Sequence, residues 1–214
     1  GLACRALCDA AKLALKLRPF SGEVVTLAGH TDLVRSVAAA ADGRIITGSY
    51  DHTVKIWRDG ACERTILAHT MDLECVAVLP GGARFVSVST DYTAKLWTLD
   101  GALERTFEVG SSVLCLAALP DGVHFVVGLH NKEVRLYHVD GTLVHTFKGH
   151  TGDVISVAVT PDGQHIISAG ADRCVKVWSV ASKSLVSTCV GHPGCVCAVA
   201  AMPDGQRFPR GSTE

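Results

Sequence analysis

The sequence predicts an all-β protein assembled from repeated four-stranded antiparallel sheets, and three observations carry that prediction. Within Val144–Val180, Gly149-His150 precedes an apolar run at Val154–Val159, a Pro161-Asp162-Gly163 turn, a second run at His165–Ser168, Asp172, and a third run at Cys174–Trp178. Short apolar runs bounded by such turns read as strands joined by tight connections. The unit then recurs: Gly29-His30 leads to Asp51 and Trp57, Ala68-His69 to Asp91 and Trp97, and a weaker copy runs from Gly110 through Asn131 to Tyr137. Finally, Trp57, Trp97, Tyr137 and Trp178 fall 40, 40 and 41 residues apart. That period, with four strands per unit, is the spacing of β-propeller blades.

The glycine-histidine pair, with the aspartate and tryptophan that follow it in register, resembles the WD-repeat family over Ser21–Glu214. In that family the histidine, a Ser or Thr of the middle strand, the turn aspartate and the indole form a hydrogen-bonded chain. The resemblance assigns this structural network to His30, Thr47, Asp51 and Trp57, to His69, Ser87, Asp91 and Trp97, and to His150, Ser168, Asp172 and Trp178. Such groups are tolerated in a core because a satisfied polar network removes the cost of burying each member. The literal Trp-Asp pair is missing, as Trp57-Arg58, Trp97-Thr98 and Trp178-Ser179 show, and so is the Trp-Asp-x-Arg box of ubiquitin-ligase substrate receptors.

Taken in order, residues 1–18 lie outside the repeat. Arg5, Asp9, Lys12 and Lys16 share one stripe of a short N-terminal amphipathic α-helix that Pro19 ends, and its broad apolar face suits the end of a preceding domain. Targeting and a fragment edge are the alternatives. From residue 19 to 214 the propeller follows. Its inner strands are expected at Val34–Ala39, Leu73–Leu79, Val113–Leu119, Val154–Val159 and Val196–Ala201. Middle strands follow at Arg44–Gly48, Arg84–Val88, His124–Gly128, His165–Ala169 and near Gln206–Arg210, with Pro209 inside the last. Outer strands are expected at Glu63–Leu67, Glu104–Phe107, Leu143–Phe147 and Leu185–Val190, and Val24–Leu27 reads as an orphan outer strand. The count is four complete blades plus a partial fifth, read as an arc of a larger ring that attached domains or a second chain would complete.

The third copy departs as a unit. It lacks the histidine, and it carries Val127 for Ser/Thr, Asn131 for Asp and Tyr137 for Trp. Apolar packing through Phe125, Val126, Val134 and Leu136 is expected to hold it alone.

Composition narrows the function. With 48% hydrophobic residues the chain can bury a substantial core, and a net charge of −1 without a basic stripe argues against nucleic acid. No uncharged apolar run is long enough to span a membrane. Nine cysteines without framework spacing favour a reducing, intracellular and cytoplasmic setting. Cys75 and Cys115 stand where other copies have Ser36, Ser156 or Ala198, which reads as a demand for a small side chain.

Chemistry finds little purchase. Ser, His and Asp recur together, as a nucleophilic triad would need, but three copies at a fixed period argue for structure. Cys189, His192, Cys195 and Cys197 supply zinc-type ligands at a spacing that matches no common zinc module. We therefore expect no catalytic residues, no metal and no cofactor. Function should lie on the rim where the inner strands begin, at Leu33, Arg35, Tyr50, Asp72, Glu74, Thr90, His130, Asp153 and Ile155. This rim carries both signs, and its acidic side would suit a basic segment. The expected activity is a non-enzymatic scaffold for proteins or peptides. The alternative is the propeller region of a larger multidomain enzyme or signalling ATPase whose activity lies elsewhere.

Overall fold

The computed structural model describes residues 24–202 and 210–212. Runs of β-branched and apolar residues, each stopped by a Gly, Asp or Pro turn, form the strands. Blade 1 comprises β1 (Val34–Ala39), β2 (Ile45–Ser49), β3 (Thr53–Arg58) and β4 (Ala61–Leu67). Blade 2 comprises β5 (Leu73–Val78), β6 (Arg84–Ser89), β7 (Thr93–Thr98) and β8 (Leu103–Glu108). Blade 3 holds β9 (Val113–Ala118), β10 (His124–Leu129), β11 (Val134–His138) and β12 (Leu143–Phe147), and blade 4 holds β13 (Val154–Val159), β14 (His165–Gly170), β15 (Val175–Ser179) and β16 (Ser184–Cys189). Each is an antiparallel meander with its strands in chain order, and β17 (Val196–Val199) pairs with β18 (Arg210–Ser212) in a fifth sheet.

The inner strands β1, β5, β9, β13 and β17 pack on one another in that order. Middle strands are sandwiched between neighbouring blades, which is why β6, β10 and β14 are buried over nearly their whole length and read as continuous apolar runs. Outer strands such as β4 and β16 are mostly exposed and correspondingly polar.

Size complementarity sets each seam. The first residue of the inner strand, Leu73, Val113, Val154 or Val196, is fully buried, whereas Val34 at the same place in blade 1 is half exposed. The middle strand of the preceding blade must make room for it. A Cβ added to Gly128 would lie 2.6 Å from Val154 Cγ1 and 2.5 Å from Cys115 Sγ, and one on Gly48 would strike Leu73.

A second tie runs between inner strands. Ser36, Cys75 and Ser156 follow a register shift in their strands, as does the pairing around Cys115. Ser36 Oγ accepts the Val76 N–H (3.1 Å), Ser156 Oγ accepts the Val199 N–H (3.2 Å), and the Cys115 thiol donates to the Val154 carbonyl (3.5 Å). The small side chain demanded by the repeat is therefore a staple to the next blade. Burial raises the Cys75 thiol and pushes Cys115 well above the ordinary thiol range, so both stay protonated.

One expectation changes, and two others fall wholly or largely outside the described residues. The helix expected over residues 1–18 lies outside the described residues. Val24–Leu27 joins none of the sheets, and Val24 and Val25 are exposed; an extended segment without a ladder partner has no strand to belong to. Residues 206–209 of the strand expected there lie outside the described residues, and the described part of the last strand is Arg210–Ser212. Its register nevertheless sets Arg210 opposite Val199, as Thr47 faces Val37 and Ser168 faces Val157.

Gly128→Val should lower stability by about 1–3 kcal/mol through overpacking of the seam. Denaturant unfolding of the variant checks this, and an unchanged midpoint would contradict the packing described.

Candidate interaction surface

Three sets of network residues come together. His30 Nδ1 lies 2.8 Å from Asp51 and its Nε2 lies 2.7 Å from Thr47 Oγ1, which also accepts the Trp57 indole N–H (2.8 Å). His69, Ser87, Asp91 and Trp97 repeat this arrangement at 2.8–2.9 Å, as do His150, Ser168, Asp172 and Trp178 at 2.7–2.8 Å. One tautomer satisfies every member. The imidazole donates from Nδ1 to the carboxylate, and the hydroxyl donates to Nε2 while accepting from the indole. Each aspartate also binds backbone: Thr31, Thr70 and Thr151 donate their N–H to it, pinning the loop that enters the blade.

Burial holds His69 and His150 below the ordinary imidazole range despite the neighbouring carboxylates. Burial alone would raise Asp91 and Asp172, but their hydrogen bonds outweigh it and hold both below the usual carboxylate range. The Ser-His-Asp geometry resembles a nucleophilic triad, yet Ser87 and Ser168 are fully buried and their oxygens are engaged on both sides. No substrate can reach them.

The aspartate sits in a three-residue turn between middle and third strands. His52, Tyr92, Lys132 and Arg173 end these turns with φ of 64–72°. This is a type I turn followed by a left-handed residue. In every blade the turn is bonded to the loop before the inner strand: Tyr50, Thr90, His130 and Ala171 donate their N–H to the carbonyls of Leu33, Asp72, Ser112 and Asp153. Of the rim residues predicted from the sequence, Leu33 with Tyr50 and Asp72 with Thr90 are thereby joined backbone to backbone.

Charges on the rim are paired across blades. Glu74 accepts from Arg35 Nε (3.1 Å) and from Tyr50 OH (3.2 Å), and the guanidinium lies 6.0 Å from the Tyr50 ring centre. Asp72 lies 3.7 Å from His52, and Asp153 lies 3.5 Å from His130. Each acid thus faces a basic or protonatable group of the preceding blade, which removes much of the acidic side anticipated for a basic partner. Thr90 is half-buried and its hydroxyl donates to the Asp72 carbonyl (3.4 Å); Ile155 is half-buried, and Leu33 is 66% exposed.

Sequence reasoning missed two surface side chains. Met71 and Tyr92 stand exposed on blade 2. The signal was present, since the residue after each turn Asp or Asn is large and differs in every copy. The zinc-type ligands do not gather: among the described residues no three His, Cys, Asp or Glu could hold one metal ion, and Cys195 turns its thiol to the Ala171 carbonyl.

A family model described as WD domain, G-beta repeat, matches residues 21–58, 60–98 and 141–179. The chain belongs to the WD40 family. The crystal structure of the WD40 beta propeller domain of Doa1 aligns with a TM-score of 0.80 at 31% identity, covering 92% of this chain and 66% of that one. Ribosome biogenesis protein BOP1 homologs of Drosophila grimshawi and Drosophila mojavensis are 47% and 46% identical over 68 residues, 30% of this chain and 8% of each relative. Protein-interaction scaffolding is the usual role of WD40 propellers. Among the described residues no helix is long and apolar enough to cross a membrane.

The WD40 model leaves residues 99–140 unmatched, and there the network is replaced. Tyr137 stacks on Phe125 (5.6 Å between centres) and meets Phe107 of blade 2 edge-on (5.7 Å). Glu133 gathers Asn131, Arg135 and Lys148, while Arg135 Nη1 donates to the Val109 carbonyl (2.7 Å). Apolar packing therefore does not hold this blade alone.

His150→Ala should cost about 2 kcal/mol or more, since it orphans buried partners, whereas Asn131→Ala on the exposed turn should cost less than about 0.5 kcal/mol. Chemical denaturation compares them. Stability should also be full above about pH 6.5 and fall below it, because the unfolded chain takes protons that buried His69 and His150 refuse. A second loss should set in below about pH 4 as Asp91 and Asp172 protonate. A melting temperature constant from pH 7.5 to 5 would contradict the histidine contribution.

Proposed function

We propose that this chain is a non-enzymatic docking platform that binds a protein or peptide on the rim formed by the loops before the inner strands and the turns after the middle strands. The carrying observation is that Leu33, Met71 and Tyr92 stand at 66%, 50% and 53% exposure on the rim of the first two blades. Their loops are fixed by hydrogen bonds to the blade. Large side chains held on rigid loops make contact at little entropic cost. Arg35, Tyr50, Asp72, Glu74, Thr90, His130, Asp153 and Ile155 surround or extend that surface and supply polar contacts. The Ser-His-Asp sets are occluded, which supports a binding role without turnover and without cofactor or metal.

The likeness to ribosome biogenesis proteins covers only 68 residues, and it supports work as one module of a larger assembly. The rim is then one contact among several, and any catalytic activity belongs to other parts of the protein or complex.

Comparative affinity purification tests the rim. In the intact native protein, Leu33→Glu with Tyr92→Glu should reduce recovery of specific partners at least about tenfold, as expected when anchor residues of a small interface are lost. Leu103→Glu, on the exposed outer strand β8, should leave them. Equal partner recovery from both variants would refute the placement.

A further inference from the structure

At the face opposite the rim the seams between blades are not equivalent. Between blades 1 and 2 the seam is ionic. Arg44, just before β2, donates from Nη1 to the Leu99 carbonyl (3.0 Å) and to Asp100 (3.3 Å) of blade 2, and from Nε to Asp42 (2.8 Å). Arg64 lies against the next turn, its Cδ 3.2 Å from where a Cβ on Gly101 would stand, and Arg105 of blade 2 takes the same position beside Gly141.

Register shows what stands at these places in blade 3. Arg64, Arg105 and His145 face Ile56, Leu96 and Leu136 on the neighbouring strand. Arg44 and His124 each lie three residues before the middle-strand position held by Thr47 or Val127. Blade 3 thus has histidine at both arginine positions, and Val144 where blades 1 and 2 have Glu63 and Glu104. His124 Nδ1 meets Asp121 of its own blade (2.7 Å) while the residue also lines the space towards blade 4, and His145 packs on Phe147 (4.6 Å between centres). What remains between blades 3 and 4 is a cavity of about 310 Å³ with Leu119, Leu136, Val144 and Val180 in its walls and the exposed Asp121 and Asp162 on its border.

We propose that this cavity is a socket for an arginine side chain of a partner protein, seated where the chain's own Arg44 sits between blades 1 and 2. The apolar walls suit the methylene stem, and the two carboxylates suit a charge-assisted guanidinium. Val180 occupies the place of Leu99, each donating its N–H to the turn before the middle strand, so a backbone carbonyl is offered at the equivalent point. Hydrogen bonds from the Thr160 hydroxyl and the Gln164 N–H hold Asp162 below the usual carboxylate range, which keeps it ionised. For Asp121, burial pushes the other way, but bonds from Val123 and His124 outweigh it. The volume is at the lower end for small-ligand sites, in keeping with one side chain. Arginine fits better than lysine because its planar fork can reach a carbonyl and a carboxylate together, as Arg44 does. This site does not depend on the rim reading.

The test follows the methyl resonances of Val144 and Val180 in the intact protein during titration with arginine amide, and separately with citrulline amide, which keeps the shape but not the charge. Saturable shifts are expected with arginine amide, with affinity at least tenfold weaker for citrulline amide. Asp121→Asn with Asp162→Asn should weaken binding at least tenfold; both residues are exposed, so the core is untouched. His124→Arg supplies an internal guanidinium and should abolish binding while raising the melting temperature, and Leu103→Glu, on the exposed outer strand of blade 2, should leave arginine amide binding unchanged. Absence of shifts, equal response to citrulline amide, or undiminished binding by the aspartate variant would overturn the proposal.

Discussion

Everything in this molecule depends on the fact that a four-stranded blade cannot bury its own faces. Leu73, Val113, Val154 and Val196 lose all their exposure because the preceding blade leaves space for them, with Gly48 and Gly128 the tightest points. Hydrophobic burial supplies the attraction, at about 25 cal/mol per Å², but shape sets the spacing. The staples from Ser36, Cys115 and Ser156 to the next inner strand then hold that spacing in register. Val34, at the same place in blade 1, is half exposed among the described residues.

Within a blade the polar network performs a different task. Apolar contact is non-directional and would accept several placements of the entering loop. His69 and His150 accept one, because each must satisfy a carboxylate and a hydroxyl at once. Blade 3 shows that this solution is replaceable: three aromatic rings and a charged group around Glu133 hold a sheet of the same topology. The same blade also carries histidines at the outer seam, where blade 1 has Arg44 and Arg64.

Rim and opposite face consequently differ in kind. The rim is built on loops that the network fixes, and its charges are paired from blade to blade through Arg35, His52 and His130. The opposite face is built on turns whose side chains are free to vary, so one seam is ionic and another holds a cavity.

The sequence by itself determined the strand order and the blade period through local periodicity, and its resemblance to the WD-repeat family assigned the network residues. Position along a strand settles which face a side chain takes, and a fixed period settles which copies are equivalent. Tertiary structure alone decided the inter-blade relations: Arg35 with Glu74, Asp153 with His130, Cys115 with the Val154 carbonyl, and the cavity beside His124. It also decided that Val24–Leu27 stands outside the sheets. These outcomes turn on distances between residues of different blades, or on whether a partner strand lies alongside, and no single stretch of chain encodes either.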